Sequence, residues 1–305
     1  MQTRSVMVSA ALFLTAALSF AQPGHAGEKI DFDPVIDLLQ VPGHIVLGGV
    51  SGVAVNSKGQ IYMLHRAENP VVCFEPTGEY VCSWGTDLIG SGHGLRIDRD
   101  DNVWVTDTDH HLVFKFDPQG ELLMTLGKID EPGLGNDQFN KPTDVNFGPK
   151  GELYVTDGYG NSRVVKLSAD GEFLCTWGEP GEGPSQFNAP HAVVIDSQNR
   201  VIIGDRDNNR IQIFNPQGVL LETWTGYAPF GLALDPDGVL FVADGKANKI
   251  LQLDDAGNVV REWGGVKGTG PGEMSTPHML EVDRDGNLYA AEVSGKRVQK
   301  FARKH

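Results

Sequence analysis

The sequence predicts an all-β chain folded as a six-bladed β-propeller, on two observations. Gly-rich turns and β-branched runs recur at a period of about 40 to 50 residues, the range of propellers and other repeat arrays. Beyond the first 26 residues no run of apolar positions follows the helical period, so the repeating unit is built from strands.

Six copies line up. Their first strands read VSGVAVN from Val50, GHGLRID from Gly92, KPTDVNF from Lys141, APHAVVID from Ala189, APFGLALD from Ala228 and TPHMLEVD from Thr276. Each is followed by a turn and a second strand: GQIYMLHR, DNVWVTDT, GELYVTDG, NRVIIGDR, GVLFVADG and GNLYAAEV. A third strand and a D-x-x-G type turn lead to a fourth, which closes on Trp84, Trp177, Trp224 or Trp263, with Leu126 in the second copy. Strands this short joined by tight turns make a four-stranded antiparallel blade, and six blades set radially enclose a channel. The sixth copy stops after its third strand, at RVQKFARKH, while PVIDLLQV, Pro34 to Val41, lies ahead of the first copy with the right apolar character to fill the gap. Joining the chain ends in one blade removes two open sheet edges.

Residues 1–26 stand outside the repeats. Arg4 precedes an apolar run from Val6 to Phe20, with small residues at Ser19, Ala21 and Ala26, the layout of a secretory signal cleaved after Ala21 or Ala26. Residues 27–305 then form one propeller domain. The run is shorter than the roughly 20 apolar residues of a membrane span, and no later segment approaches that length. The expectation is a soluble, exported monomer, periplasmic or secreted. A formal charge of −15 argues against nucleic-acid partners, which are held by clustered Lys and Arg. Cys73 and Cys82 flank the turn FEPTGEYV symmetrically and read either as a disulfide or as two half-buried thiols, while Cys175 has no evident partner. DRDDN and DRDGN lack the distal glutamate of a calcium loop and fall where every copy needs a hairpin turn.

The first strand of a propeller blade lies nearest the axis, and the loop leading into it shares a face with the loop joining strands two and three. Residues of equal phase therefore form rings around the channel mouth. The ring at the start of strand one reads Ser51, His93, Thr143, His191, Phe230, His278, placing three of the chain's nine histidines in alternate blades. A single such histidine is more often structural. Three spaced by a third of a turn bring their imidazoles to one point and leave a fourth position open, the donor set of a catalytic zinc. Zinc is favoured over other imidazole-binding metals. The ring at the end of strand two reads Arg66, Thr108, Gly158, Arg206, Gly245, Val293, and Tyr159 follows its glycine. Arg66 and Arg206 face each other across the axis and suit a carboxylate held by bidentate hydrogen bonds; the alternative is that each pairs with a nearby acid such as Asp205 or Glu68. Tyr159 is either a packing aromatic or, beside a metal and two arginines, a base. His110 and His111 reach the same loops and read as an exposed pair, and GTGPGE as a connecting loop with no helix behind it.

The repeat resembles the NHL type, most clearly in QFNAPHAVVIDSQNRVIIGDRDNNRIQIFNPQG. Fold resemblance alone carries no function. Over nearly the whole of residues 27–305 the chain also resembles the peptidyl-α-hydroxyglycine α-amidating lyases, through VSGVAV, HGLRIDRDDNVWVTD, KPTDV, TDGYGNSRVV, APHAV, DRDNNRIQIF and the histidine phase. That resemblance implies that His93, His191 and His278 hold zinc, that Tyr159 is the base, and that Arg66 and Arg206 position the substrate. It implies a reaction that splits a carbinolamide into an amide and glyoxylate, on a peptide or small molecule bearing a carboxylate. It also implies a structural calcium: Val53 and Leu95 match the positions that lend backbone carbonyls, but Met279 stands where the family has an aspartate. Thr276 replaces a methionine that the family places near the substrate. The competing functions are a non-enzymatic propeller binding ligands or proteins outside the cytoplasm, a metal-dependent lactonase or other hydrolase, and an RNA-binding NHL protein. The hydrolase expects carboxylate and amide ligands, which the first ring lacks except for Asp144 just beyond it, and the charge disfavours RNA.

Overall fold

The protein is described by a computed structural model over residues 29–304; the leader-like residues 1–26 lie outside the described residues. Six four-stranded antiparallel sheets follow one another along the chain, the first five spanning residues 50–84, 92–126, 144–177, 190–225 and 229–264. The sixth is completed from the other end of the chain, in the order Phe32–Val35, Arg297–Arg303, Leu288–Glu292, Pro277–Val282. The first strand of each blade packs against the first strands of its neighbours, and blade six meets blade one, so the ring is closed.

The local sequence follows from this stacking. Second strands such as Ile61–His65, Val103–Asp107 and Val201–Asp205 are buried at every position, because a blade lies on each side of them. They therefore read as continuous apolar runs, as buried strands do. The fourth strand is outermost and alternates between half-buried and exposed, as in Phe173–Trp177. Its closing tryptophan lies against the turn glycine of the next blade. A Cβ on Gly120 would stand 2.6 Å from the Trp84 ring, on Gly218 2.7 Å from Trp177, and on Gly257 2.2 Å from Trp224. The D-x-x-G turn thus needs glycine twice over, for its positive φ and for the neighbouring indole.

Two expectations are corrected in detail and one open alternative is resolved. The closing strand is Phe32–Val35 and not residues 34–41: the chain turns at Asp37, whose φ is 50°, and Leu38, Leu39 and Val41 pack against the flank of blade one. Among the described residues the strands are interrupted by one helical turn, Gly158–Asn161, and a short parallel ribbon pairs Glu179–Pro180 with Gln186–Phe187. Of the two readings of Cys73 and Cys82, the structure has the thiols: the pair stands directly opposite in register and unbridged. The Asp98 and Asp283 carboxylates are spent on their own hairpin turns, each accepting two backbone N–H groups and an asparagine side chain.

Ring closure rests on Phe32, which is buried edge-on against Phe241 and Trp263 at centroid distances of 5.8 and 5.2 Å. Phe32→Ala should cost about 3–5 kcal/mol, the usual range for an emptied aromatic site. Urea denaturation checks this, and a curve superimposable on that of the unaltered protein would show that the terminal strand does not hold the ring.

Candidate metal centre

The histidines reach the axis because the strands that carry them are bulged. In five blades the register between strands one and two slips at the ring residue: between Val50 and Gly52, Gly92 and Leu95, Pro190 and Ala192, Pro229 and Gly231, and Pro277 and Leu280. The residues left without a ladder partner include Ser51, His93, His191, Phe230 and His278. A bulge turns its side chain out of the pleat, here toward the channel. In blade three Thr143 lies just ahead of the strand Asp144–Phe147.

His93, His191 and His278 form a triangle with ring centroids 4.6 to 4.8 Å apart, and one ring nitrogen from each lies within 4.8 Å of the others. All three are buried. Each Nδ1 bonds a backbone carbonyl of the next blade: His93 to Thr143 at 2.7 Å, His191 to Phe230 at 2.5 Å, His278 to Ser51 at 2.7 Å. A carbonyl only accepts, so Nδ1 carries the proton and the Nε2 lone pair is the one left for the axis, the tautomer arrangement of metal-binding imidazoles. The first ring is therefore complete, with three blades giving imidazoles and the three between them giving acceptors. Burial drives all three pKa values down, that of His278 to about 3; neighbouring imidazoles and Arg206 add to the effect on His191, and Arg66 to that on His278. His93 is held well below its usual range by burial, His278 and Arg66. The triangle is thus uncharged near neutral pH, and its donor set fits a divalent ion of zinc's preference, for which Zn–N bonds are about 2.0–2.1 Å.

The second ring is stitched to the first through the backbone. The N–H groups of Arg66, Thr108, Tyr159, Arg206 and Val293 donate to the carbonyls of Gly49, Ser91, Lys141, Ala189 and Thr276, each two residues before a first-ring position. Tyr159 occupies this place, one residue after Gly158, because the helical turn adds a residue to its loop. Gly158 is obligatory, since a Cβ there would meet the Pro190 carbonyl oxygen at 2.0 Å. The close approach carries the Tyr159 hydroxyl to 2.9 Å from His93 Nε2 and 3.0 Å from His191 Nε2. Arg206 Nη1 donates to the same hydroxyl at 3.0 Å, and its guanidinium lies 5.1 Å from the Tyr159 and Phe230 ring centroids.

The two arginines differ in their pairing, one meeting a nearby acid and the other none. Arg206 grips Asp207 through Nε at 3.1 Å and Nη2 at 2.8 Å, not Asp205. Asp205 is buried and belongs to a repeated structural device: it accepts the Asn188 N–H and binds Arg210, which holds the carbonyls of Glu182, Gly183 and Gln186. Asp157 with Arg163 and Glu292 with Arg297 repeat this in blades three and six. Arg66 is exposed and among the described residues has no carboxylate within ion-pair distance, Glu68 included; its Nε lies 3.4 Å from the Gly92 carbonyl. His110 is half-buried and paired with Asp130 at 2.8 Å, while His111 Nδ1 accepts the Lys141 N–H. Sequence reasoning missed Asp207 and the role of the Thr143, Phe230 and Ser51 carbonyls as acceptors. One signal was available: the acid and arginine of the repeated device are six residues apart in blade three (157 to 163) but five apart in blades four (205 to 210) and six (292 to 297), marking the inserted residue that lifts Tyr159.

The residues do not fit the calcium that the resemblance implies. Met279 is fully buried in an apolar cluster with Val50, Val53, Ile61 and Met63, so no carboxylate stands there. The channel already holds a cation, the Arg96 guanidinium, which binds the carbonyls of Leu232 and Leu280, at the same phase in their strands as Val53 and Leu95.

A six-bladed ring with three inward histidines at alternate blades is a propeller with a candidate metal centre at one mouth. The family profile described as NHL repeat matches residues 93–116, 139–167 and 187–214. NHL repeat-containing protein 3 of Mus musculus is 33% identical over 276 residues, covering 83% of this chain and 79% of that protein. The chain belongs to the NHL-repeat propeller family. Peptidyl-alpha-hydroxyglycine alpha-amidating lyase 1 of Drosophila melanogaster is 30% identical over 312 residues, 85% of this chain and 58% of that protein. Peptidyl-glycine alpha-amidating monooxygenase of Mus musculus is 31% identical over 336 residues, 93% of this chain; the chain spans about a third, 34%, of that protein's length. A streptogramin B lyase structure superimposes with a TM-score of 0.63 at 17% identity, over 90% of this chain and 98% of that one, which shows the fold alone.

Because the triangle's folded pKa values lie below the 6.5 of a free imidazole, the unfolded chain binds more protons at acidic pH. Metal-free protein should therefore lose stability as pH falls below about 6.5, and His191→Gln should flatten part of that slope. Thermal melts in chelator from pH 8 to 5 check the sign; identical pH profiles for the two proteins would mean that His191 titrates as a free residue.

Proposed function

We propose that the chain is a zinc-dependent lyase of the peptidyl-α-hydroxyglycine α-amidating type, cleaving the C–N bond of a carbinolamide to give an amide and glyoxylate. The observation that carries this reading is the convergence of three Nε2 atoms, the Tyr159 hydroxyl and Arg206 on one point at the channel mouth. The relatives named as amidating lyases support it, as does the match of Arg66 and Arg206 to a carboxylate-bearing substrate.

Zinc at the triangle would supply a Lewis acid that makes the substrate hydroxyl more acidic. The other parts of the reaction are done by this chain's side chains. Tyr159, whose oxygen lies at hydrogen-bond distance from two of the triangle's nitrogens, is placed to take the hydroxyl proton. Arg206 is held by Asp207 on one edge and presents Nη1 to the same space, so it holds negative charge near the reacting carbon. Arg66, across the mouth and without an acidic partner, receives the substrate carboxylate in bidentate fashion. As the hydroxyl proton leaves, the carbon–oxygen double bond forms, the C–N bond breaks and the amide nitrogen regains a proton. Nothing is oxidised or reduced overall. We infer further that the protein is exported, which the leader-like residues 6–20 support, and that it works as a monomer.

A second reading is a binding module, favoured by the relative named only for its repeats, of which the chain covers 79%. Glyoxylate release separates the two. Purified protein given an α-hydroxyglycine derivative should release glyoxylate; chelation or His191→Ala should abolish this, and Tyr159→Phe should lower kcat by about 10²–10⁴-fold, the usual contribution of a positioned base. Full turnover by His191→Ala, or protein purified without stoichiometric zinc, would leave the binding module as the reading.

A further inference from the structure

Below the histidine layer the channel is closed by a buried ion pair that the proposed chemistry does not use. Arg96, in the first strand of blade two, and Asp144, at the start of the first strand of blade three, are 5% and 0% exposed. Arg96 meets the carboxylate with two parallel bonds, Nε to Oδ1 at 3.1 Å and Nη2 to Oδ2 at 2.7 Å. Its remaining N–H groups donate to the Leu280 and Leu232 carbonyls, both at 3.3 Å, and Nη1 stands 4.0 Å from Glu281. Asp144 in turn accepts the N–H groups of Val145 at 2.9 Å and Val193 at 3.1 Å.

The partners of this pair are not scattered. Leu280 lies two residues after His278, Val193 two after His191, and Arg96 three after His93. Asp144 directly follows Thr143, the acceptor for His93, and Leu232 lies two residues after Phe230, the acceptor for His191. One guanidinium and one carboxylate thus tie together the first strands of blades two to six at the level immediately below the triangle. Stability does not account for such a pair, since replacing a buried ion pair with apolar residues of similar volume is often neutral or stabilising. What an apolar filling cannot do is fix five strands at set distances from one centre. A rigid, forked cation bonded to inward carbonyls and a carboxylate does what a bound divalent ion would do in that layer.

We propose that Arg96 and Asp144 are a positioning pair that sets the spacing of the His93, His191 and His278 triangle, an internal cation built into the chain in place of calcium. The proposal rests on the reading that the triangle holds zinc. The test measures zinc affinity by competition with a chromophoric chelator, together with zinc and calcium content and thermal stability, for the full chain and two variants. The unaltered protein is expected to hold one zinc and no calcium in millimolar calcium. The Arg96→Met, Asp144→Leu double variant is expected to keep the far-UV spectrum and a melting temperature near that of the unaltered protein while losing about 10–100-fold in zinc affinity, the usual effect of removing support from metal ligands. Arg96→Lys keeps the charge but cannot make the fork, and it should also bind zinc more weakly, which keeps the test decisive if the double variant does not fold. Zinc affinity within twofold of the unaltered protein in either folded variant overturns the positioning role, and so does stoichiometric calcium in the unaltered protein. Failure of the unaltered protein to bind zinc at all overturns instead the metal reading on which the proposal rests.

Discussion

The site depends on one kind of contact: an imidazole Nδ1–H donating to the backbone carbonyl of the next blade. A buried N–H left without an acceptor costs roughly 1–3 kcal/mol, so three uncompensated imidazoles would consume much of a domain's stability. Here the acceptors come from Thr143, Phe230 and Ser51, the three first-ring positions that are not histidine. The alternation is possible because six is even. An odd number of blades would force two donors or two acceptors side by side somewhere in the ring, and one imidazole would lose either its partner or its aim. Blade count, tautomer and the direction of the Nε2 lone pairs are in this sense one constraint.

The phase of the site residues was legible in the sequence because a repeat fixes position from blade to blade. His93, His191, His278, Arg66 and Arg206 fall where equal phase placed them, and Tyr159 falls on the same face. The bulges that aim the histidines were not legible, since an extra unpaired residue leaves no mark in the apolar pattern of so short a strand. Nor were the acceptors: a backbone carbonyl has the same chemistry whether it belongs to Thr143, Phe230 or Ser51. The alternative that each arginine pairs with a nearby acid holds for Arg206, with Asp207 in place of Asp205, and not for Arg66; the reason is geometric. Successive side chains of a strand point to opposite faces, so Asp205 at the end of Val201–Asp205 turns back to the connecting loop and Arg210, while Arg206 turns to the mouth and finds Asp207. The same limit applied to Pro34–Val41, where composition identified the closing segment but not the turn at Asp37 that ends the paired portion.

Charge is distributed against the average. The chain carries a formal −15, yet the mouth presents Arg66 and Arg206, and the layer beneath the triangle is occupied by Arg96. The acids closest to these arginines are already engaged, Asp207 by Arg206 and Asp144 by Arg96. Arginines gathered at one mouth of a body of the other sign attract ligands of opposite sign, here anions. Beyond burial, Arg66 and Arg206 help to hold the histidines neutral, so the features that would attract a carboxylate also keep the imidazoles able to bind a metal.

The two mouth arginines are not equivalent, and the difference has a mechanistic reading. Arg206 is restrained by a two-point bond to Asp207, by stacking on Phe230 and Tyr159, and by its bond to the Tyr159 hydroxyl. Arg66 has one long contact with a backbone carbonyl and is exposed. A restrained group gives up little freedom when a ligand arrives and suits charge that develops during reaction, whereas a free guanidinium must be ordered by the ligand and contributes to capture. On the proposed chemistry the asymmetry matches the substrate: its carboxylate is charged before and after bond breaking, while charge on the hydroxyl oxygen appears only in between. The fixed arginine stands beside Tyr159 and the free one opposite, which is the order that the proposed reaction requires.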